Sequence, residues 1–393
     1  MNLSKKEIDE LKEHKFFSEI MMKSELLSDL SIKYNIYNIV NELNKKSINI
    51  PSILNLNPSN ILYVQKSLRS QVWKITLKYL PLNIEDWESY LDKKRDEYQE
   101  IKDEYLTTSK NLKKKFSPSI DILSDNKMSY FYQDNKLLEL IEKDIKRTYP
   151  EISFFQEKSK NNKKETNYEI LKRLLFIYAK KYPEISYVQG LNLIIANIFY
   201  VFSQDENPYF NLFAEEDTFY CFELLLNSFK DVYNQAKDIS SKGIKSIINY
   251  IKYLLYIIDR EVFFNLNNMK IDIYMFLFKW YTVFFSQEFE LDITLKLWDH
   301  FICNENKEEY MVHLCLSSIL IKKEKILTRD LGTILGALQI FNKSDLDLIL
   351  GKVPEIKQKL IDNALNINST LIIKFIFVIL KIEIMIIFKI NQV

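Results

Sequence analysis

The chain has 393 residues, of which 47% are hydrophobic and only 5 are glycine, and its 54 basic and 53 acidic side chains almost cancel. This charge balance gives no general attraction to nucleic acid or to acidic lipid. No GxxxxGK[ST] or GxGxxG motif is present, so we expect no nucleotide cofactor of its own. The three cysteines and three histidines lack disulfide or metal-ligand spacing, which predicts no metal site and favours a cytoplasmic protein.

Long segments with a hydrophobic period of about 3.6 residues predict an all-α fold. Residues 1–46 are predicted to form an N-terminal helical extension, and a connector rich in Pro, Asn and Ser follows at 47–60. The next predicted helix covers residues 68–81 and buries Trp73. Residues 84–115 interleave acidic and basic side chains, a pattern typical of a long helix with a solvated face.

Within the next helical segment, 135–155, the spacing places Ile141, Asp144 and Arg147 on one broad side of a helix. Pro150 disfavours helical geometry at the residue before it, so Arg147 is predicted in the last turn. A cation there is stabilised by the helix dipole and by an i, i+3 pair with the aspartate. Alternatively, Asp144 holds an arginine that projects from the helix end and can stabilise negative charge on a partner's phosphate. The spacing alone favours the structural interpretation.

A basic, solvated loop is predicted at residues 158–167, where lysine and asparagine predominate. Thr166 and Glu169 have the spacing of a capping box for a helix over 168–181. Pro183 then prevents this helix from continuing.

The stretch ISYVQGLN at residues 185–192 stands before an uncharged apolar run. Ser186 and Gln189 have capping-box spacing for a helix that starts near Tyr187. Alternatively, Gln189 faces outward from the helix N-terminus, where its amide can hold a water and a backbone group together. Gly190 lacks a Cβ and would allow another backbone to approach closely.

The remaining part of the chain is predicted to be helical as well. Acidic residues in the first turn favour a helix N-terminus at EEDTFYCF. The further predicted helices cover residues 243–258, 271–286, 289–301, 308–323 and 328–340.

Several of these stretches, taken in order, resemble the motifs of the TBC-domain family, the GTPase-activating proteins of Rab GTPases. The three fingerprint stretches are Arg69-x-x-x-Trp73, Ile141-x-x-Asp144-x-x-Arg147 and Tyr187-x-Gln189. WKITLKYLP resembles the family's W-K-x-L-L-x-Y-L-P, YVQGLN its Y-V-Q-G-M-N, and EEDTFYCF its E-x-D-x-F-x-C-F. LKLWDHF, which contains Trp298 and Asp299, resembles I-W-D-x-x-F, and RTYPEISFFQ is similar to a branch of small, nearly domain-only members.

The resemblance implies an all-helical domain over residues 47–365, made of two packed halves with a groove for a Rab. It also implies a dual-finger mechanism. Arg147 would stabilise the charge that develops on the transferred phosphoryl group, and Gln189 would orient the attacking water in place of the GTPase's own glutamine. The chain would then be a GTPase activator and not itself a nucleotide hydrolase, because the GTP-bound Rab carries the GTP and the Mg²⁺.

The resemblance further assigns supporting roles. Asp144 would orient the arginine finger, and Tyr187 and Gly190 would support the glutamine finger. The roles of Arg69, Trp73, Ile141, Trp298 and Asp299 would be structural. A protein of this family is expected to regulate vesicle traffic and to be recruited from the cytoplasm to endomembranes.

Three positions depart from the family pattern. Ser67 replaces a usual glycine, Leu193 an acidic or polar residue, and Asn197 a proline that would shape the start or a kink of the helix. None of them removes a finger. The alternative function is a non-catalytic TBC scaffold that binds a Rab or another partner without accelerating hydrolysis, although such a protein has no chemical need to keep both fingers.

The hydrophobic tail at residues 366–393 lies beyond the resemblance. Within it, 16 of the 20 residues at 371–390 are apolar, and as a helix this segment would span about 30 Å, the thickness of a bilayer core. Lys381 lies near its centre, where a charge costs roughly 2.5–3.5 kcal/mol on the insertion scale. A membrane anchor, a helix packed on the domain and a translated non-coding stretch remain alternatives.

Overall fold

The structure is a computed structural model that describes residues 66–81, 86–115, 125–160, 164–205, 208–234 and 243–366. Within these ranges there are helices and one isolated β-bridge, between Lys158 and Thr166, but no strand. The all-α prediction is therefore confirmed. The helices are α1 (Lys66–Thr76), α2 (Trp87–Lys115), α3 (Asp125–Ile145), α4 (Ser153–Gln156), α5 (Asn167–Lys181), α6 (Leu191–Ser203), α7 (Pro208–Leu212), α8 (Ala214–Ser228), α9 (Lys230–Tyr233), α10 (Ile244–Ile258), α11 (Arg260–Asn268), α12 (Tyr274–Thr282), α13 (Leu291–Cys303), α14 (Lys307–Leu320), α15 (Lys323–Ile326), α16 (Leu331–Gln339) and α17 (Lys343–Asn366).

Some predictions fall on residues outside these ranges. The helical extension at 1–46, the connector at 47–60 and the apolar segment at 371–390 all lie outside the described residues. Among the helices inside the described ranges, none combines the length and the apolar character that crossing a bilayer requires.

The helix boundaries differ from the prediction where a left-handed residue intervenes. Helix α1 ends at Thr76, five residues earlier than predicted, because Lys78 adopts a φ of 64°. The N–H of Tyr79 then donates to the carbonyl of Lys74 at 2.8 Å, which closes the helix end. Helices α11 and α17 were not predicted. The second of these carries many polar residues and a proline, Pro354, inside the helix, so its apolar pattern is weak.

Two groups of helices pack around the most apolar segments. Helix α6 has a buried residue at 12 of its 13 positions, as expected of a helix without a polar face. It contacts α3, α5 and α8 in the first group, whereas α14 contacts α10, α12 and α17 in the second. Helix α1 joins the groups, since it packs against both α6 and α13. At this junction the rings of Trp73 and Trp298 are both fully buried, and their centroids lie 5.8 Å apart.

A buried ion cluster around Asp217 fastens α1 to α2 and α8. Lys74 Nζ lies 2.6 Å from Asp217 Oδ2, and both side chains are completely buried. The hydroxyl of Tyr79 donates to the other carboxylate oxygen at 2.9 Å, and Arg95 Nη2 lies 3.4 Å from the carboxylate. Lys74 Nζ also sits over the ring of Phe202, 4.6 Å from its centroid. Buried charges require such pairing because their desolvation is costly.

Candidate functional site

The segment that carries Arg147 is a tight turn at the end of α3. The helix ends at Ile145, and the N–H of Thr148 donates to the carbonyl of that residue at 3.0 Å. The Thr148 hydroxyl donates to the carbonyl of Asp144 at 2.9 Å. Tyr149 then adopts a left-handed φ of 44°, which redirects the chain. Arg147 was predicted in the last turn of this helix, but it lies two residues after the helix end. Its side chain is 67% exposed.

Asp144 connects this turn to the segment that precedes α6. One carboxylate oxygen accepts a hydrogen bond from Arg147 Nη2, and the other accepts from the Tyr187 hydroxyl at 2.7 Å. Burial, reinforced by the neighbouring carboxylate, raises the pKa of Tyr187 well above its usual value, so the phenol remains a donor. Ile141, one turn before Asp144, is fully buried and anchors this face of α3 in the core. A buried carboxylate therefore holds an exposed guanidinium.

Gln189 lies at the start of α6, but not as a capping residue. The N-cap is Gly190, and Ser186 has a left-handed φ of 56° four residues before it. The predicted capping box between Ser186 and Gln189, with a helix start near Tyr187, is therefore wrong. The Gln189 side chain is exposed, and its amide has no hydrogen-bond partner among the residues that the structure describes.

The glycine after Gln189 is required by the backbone and by its neighbour. Gly190 has a φ of 104°, a conformation that residues with a Cβ rarely adopt. A Cβ at this position would lie 2.6 Å from Cγ1 of Val283. The group that approaches Gly190 is thus a side chain, whereas the sequence predicted a backbone. Val283 follows α12 directly, so the start of α6 rests on the end of α12.

Asn192 is a site residue that the sequence analysis did not single out. Its Nδ2 donates to the Thr148 hydroxyl at 2.8 Å and to the Asp144 carbonyl at 3.3 Å. Its Oδ1 accepts from the N–H of Gly190 at 3.2 Å. Asn192 therefore ties the first turn of α6 to the turn that carries Arg147. The signal was present, because this asparagine ends the YVQGLN motif.

Arg69 of the first fingerprint meets Asp299 of LKLWDHF in a partly buried pair between α1 and α13. Arg69 donates from Nε and Nη2 to the carboxylate of Asp299, with 2.9 Å for each shortest contact. Trp73 Nε1 donates to the same carboxylate at 3.0 Å. Burial raises the pKa of Asp299 to about 6, and this effect outweighs the opposite influence of Arg69. These residues contact one another and not the two predicted fingers.

Trp298 links this pair to a strained turn beside Gly190. Its Nε1 donates to the carbonyl of Phe284 at 3.0 Å. Phe284 and Phe285 have φ values of 49° and 58°, so two consecutive residues with bulky side chains are left-handed. The N–H of Phe285 reaches back to the carbonyl of Trp280 at 3.0 Å. We call residues 283–286 the support turn, because it carries the side chain that fills the space beside Gly190.

A comparison with protein families identifies one match over most of the chain. The model of the Rab-GTPase-TBC domain matches residues 66–327. This range includes every residue that the sequence analysis placed in the site.

Individual relatives agree with this match. TBC1 domain family member 13 of Homo sapiens is 27% identical over 358 residues, which covers 74% of this chain and 90% of that protein. The GTPase-activating protein GYP1 of Saccharomyces cerevisiae is 26% identical over 277 residues, covering 66% of this chain and 38% of that protein. The crystal structure of the Ypt/Rab-GAP domain of Gyp1p has a TM-score of 0.64 at 23% identity and covers 82% of this chain and 97% of that chain. At such identity the structural likeness establishes the fold.

Proposed function

This chain belongs to the Rab-GTPase-TBC domain family, and we propose that it is a GTPase-activating protein that accelerates GTP hydrolysis by a Rab GTPase. One observation carries the proposal. Asp144, which is buried, accepts hydrogen bonds from both Arg147 and Tyr187. The exposed Arg147 is therefore held by the same buried carboxylate as Tyr187. The exposed Gln189 follows this tyrosine by two residues, so both candidate side chains share one support. The name of the yeast relative, a GTPase-activating protein, agrees with this activity.

In this proposal Arg147 is the arginine finger. Negative charge spreads over the transferred phosphoryl group in the transition state, and an arginine supplied in trans stabilises it by about 10³–10⁵ in rate. A guanidinium has five N–H donors, and only Nη2 is directed at Asp144. The remaining donors have no partner among the described residues, so they are available to a bound Rab. Because Asp144 fixes the orientation of the guanidinium before the Rab binds, less conformational freedom is lost when the complex forms.

Gln189 is the proposed glutamine finger. Its amide has both donors and an acceptor, so it can hold the attacking water in line with the phosphoryl group and bond a backbone group of the Rab at the same time. Gly190 and Tyr187 are supporting residues, because the first fits against Val283 and the second is bonded to Asp144. Both keep the short segment between them in one conformation, with the Gln189 side chain outward.

The partner supplies the other components of the reaction. We propose that the Rab brings the GTP and the Mg²⁺, while this chain contributes side chains and needs no cofactor or metal of its own. We also propose that it acts in vesicle traffic and is recruited from the cytoplasm to endomembranes by its Rab. A fluorescently tagged chain should move to membranes when the responsive Rab is held in its GTP form, and an unchanged distribution would contradict recruitment.

Single-turnover GTP hydrolysis by a panel of Rabs tests the activity. We expect the wild type to accelerate one or a few Rabs, and Arg147→Ala to lose this acceleration. Lys146→Ala is the matched control, because this lysine is the adjacent residue, is 70% exposed and carries the same charge. If a folded wild type accelerates no Rab and yet binds one, the chain is a non-catalytic scaffold and the proposed activity is wrong.

A further inference from the structure

We propose that Asn197 is a positioning residue that holds the arginine finger in register with the glutamine finger, through hydrogen bonds to Tyr149 and Ser286. This inference rests on the proposed function. It concerns three residues to which the family resemblance gives no role. Neither Asn197 nor its two partners touches the reacting groups, so the effect must pass through the backbone segments that these residues join.

Each polar atom of the Asn197 side chain has a hydrogen-bond partner, although the residue is entirely buried in the middle of α6. Its Oδ1 accepts from the Tyr149 hydroxyl at 2.8 Å, and its Nδ2 donates to Ser286 Oγ at 3.0 Å. The Tyr149 hydroxyl also lies 3.3 Å from the carbonyl of Ser286. A buried amide with both ends satisfied fixes the relative positions of the groups that it bonds, because breaking either bond would leave a polar atom without a partner in the core.

Tyr149 connects this amide to the arginine finger. It follows Arg147 by two residues and adopts the left-handed φ that redirects the chain. A residue with a bulky side chain keeps such a conformation only when its surroundings hold it there. Here the ring stacks on Phe155 with centroids 5.6 Å apart, and the hydroxyl is bonded to Asn197. Burial raises the pKa of Tyr149 well above its usual value, so the hydroxyl remains a donor. The hydroxyl bond thus anchors the turn that presents Arg147.

Ser286 connects the same amide to the glutamine finger. It belongs to the support turn, whose Val283 fills the space beside Gly190. Asn197 itself lies on α6, which begins directly after Gly190. The amide therefore joins three segments: the turn that carries Arg147, the helix that follows Gln189, and the support turn. A shift of any one of them would strain the bonds to the other two.

The family resemblance predicts a proline where Asn197 stands. A proline side chain can neither donate nor accept a hydrogen bond, and it removes a backbone N–H from the helix. The Tyr149–Asn197–Ser286 connection is therefore specific to chains that place a polar residue here. It replaces the rigidity of a proline with two directed hydrogen bonds, and it adds a link between the fingers that a proline could not make.

Two substitutions remove the connection without removing bulk. Asn197→Leu keeps the branched arrangement of heavy atoms and loses both bonds, and Tyr149→Phe loses only the hydroxyl. We expect each to lower kcat for the responsive Rab by roughly 10–100-fold, the scale on which misplaced catalytic groups act. KM should change little, since the contact surface is unaltered. The double variant should be about as slow as either single variant, because both break one connection.

Tyr98→Phe is the matched control. This tyrosine is also fully buried, and its hydroxyl donates to Glu215 at 2.8 Å, between α2 and α8. We expect this variant to lose stability to a similar extent and to keep the wild-type kcat. If Asn197→Leu and Tyr149→Phe keep the wild-type kcat while Arg147→Ala is slow, the inference is overturned. It is overturned equally if Tyr98→Phe is as slow as they are, because the cause would then be general stability.

Hydrogen exchange separates this inference from the proposed function. In the free protein, we expect the amides of residues 146–152 to exchange faster in Asn197→Leu than in Tyr98→Phe or the wild type, because the turn has lost its anchor. Equal exchange in all three would overturn the inference, whatever the catalytic result. If the wild type accelerates no Rab, the proposed function fails, and the exchange rates still decide whether Asn197 holds the segment that carries Arg147.

Discussion

Asp217 and Asp144 are both buried carboxylates that hold basic side chains, but the exposure of the paired cation differs between them. At Asp217 the paired Lys74 is completely buried. At Asp144 the paired Arg147 is 67% exposed, although the carboxylate itself is only 5% exposed. Both anions need partners because burial penalises their charge. The exposure of the cation decides whether the pair can do anything more than stabilise the fold.

The other partners of the two carboxylates extend this contrast. Asp217 is contacted by Lys74, Tyr79 and Arg95, so three donors surround one acceptor group, and all belong to the core. Asp144 is bonded to Arg147 and Tyr187, and the guanidinium keeps most of its donors outward. The Asp217 cluster is therefore expected to contribute to stability, whereas in our proposal the Asp144 pair prepares a side chain for a partner. Substitutions in the Asp217 cluster should mainly lower stability, and substitution of Arg147 should mainly lower the acceleration of hydrolysis.

The largest effect is expected from Arg147→Ala. We expect the acceleration of Rab hydrolysis to fall by about 10³-fold or more, with a loss in unfolding free energy of only about 1–2 kcal/mol, because the buried carboxylate of Asp144 loses one donor and keeps the other. Arg147→Lys should also be slow, since an ammonium lacks the planar fork of a guanidinium. Single-turnover rates and urea denaturation, measured on the same preparations, check the expected changes in rate and in free energy of unfolding. If Arg147→Ala accelerates hydrolysis as well as the wild type does, the Asp144 pair has no catalytic role that sets it apart from the Asp217 cluster.

Asp217→Ala should show the opposite behaviour. It leaves two cations near the core without their anion, and breaking a buried pair typically costs about 3–5 kcal/mol. We expect a large fall in the midpoint of urea denaturation, with an unchanged rate for each molecule that remains folded. Asp92→Ala is a suitable control, because this aspartate lies on the exposed side of α2. Equal stability of the two variants would show that the Asp217 cluster is not a structural element.

Gly190→Ala should lower both the stability of the fold and the acceleration of hydrolysis. The new Cβ would meet Val283 at 2.6 Å in a left-handed conformation, and overpacking of this kind costs roughly 1–3 kcal/mol. The start of α6 must then shift, and Gln189 with it, so acceleration should also fall. Adding Val283→Ala removes the clash but not the backbone strain, and we therefore expect partial recovery of stability. If Gly190→Ala is as stable as the wild type, the contact with Val283 does not fix the position of Gln189.

Tyr187→Phe should produce a smaller loss. The ring remains in place, but one oxygen of Asp144 loses its donor, at a cost of about 1–2 kcal/mol. We expect the acceleration to fall several-fold because the carboxylate can then rotate away from Arg147. The kcat of the variant, compared with that of Tyr98→Phe, measures this effect. An identical kcat for both variants would indicate that Asp144 orients the arginine without help from Tyr187.

Mild acid should have the smallest effect, and it should lower the stability of the fold without changing the acceleration of hydrolysis. His300 on α13 is buried, neither of its ring nitrogens has a hydrogen-bond partner within the described part of the chain, and burial lowers its pKa to about 3. The unfolded chain takes up a proton below about pH 6.5, whereas the folded chain does not, so stability is present above this pH and is lost as the pH falls.

Between pH 6.5 and 5.5 the expected loss from His300 is about 1 kcal/mol. This share should be absent in His300→Leu, whereas the share of the second buried histidine, His313, whose pKa burial lowers to about 4, should remain. Urea denaturation at a series of pH values would measure the difference. Parallel curves for the wild type and this variant would contradict the assignment. His300 lies on α13 and is not one of the proposed fingers, so acceleration per folded molecule should not follow the loss of stability through this group.

Local patterns in the sequence predicted much of this structure. The all-α fold followed from periodicity, and the capping box of Thr166 and Glu169 is present at the start of α5, because a capping box depends on residues only three positions apart. The start of α6 was predicted four residues too early. Its N-cap is a left-handed glycine, and the competing Ser186–Gln189 spacing is equally compatible with a helix start when only the sequence is known.

The contacts between distant segments could not be predicted in this way. Tyr149 and Asn197 are 48 positions apart, and Asn197 and Ser286 are 89 apart, so no periodicity or motif relates them. The contact of Val283 with Gly190 has the same character. Sequence reasoning identified the candidate fingers through the resemblance, but the residues that hold them in place became visible only when the chain was folded.

The central claim is that Gln189 orients the attacking water in trans. The most direct test measures single-turnover hydrolysis by the responsive Rab after its own water-orienting glutamine is replaced by alanine. This Rab is combined with the wild type, with Gln189→Ala or with the control Gln358→Ala. Gln358 is a suitable control because it is an exposed glutamine on α17, bonded to Asp362. We predict that the wild type and Gln358→Ala still accelerate this Rab, and that Gln189→Ala does not. Loss of acceleration with the wild type, or its retention with Gln189→Ala, would contradict the account.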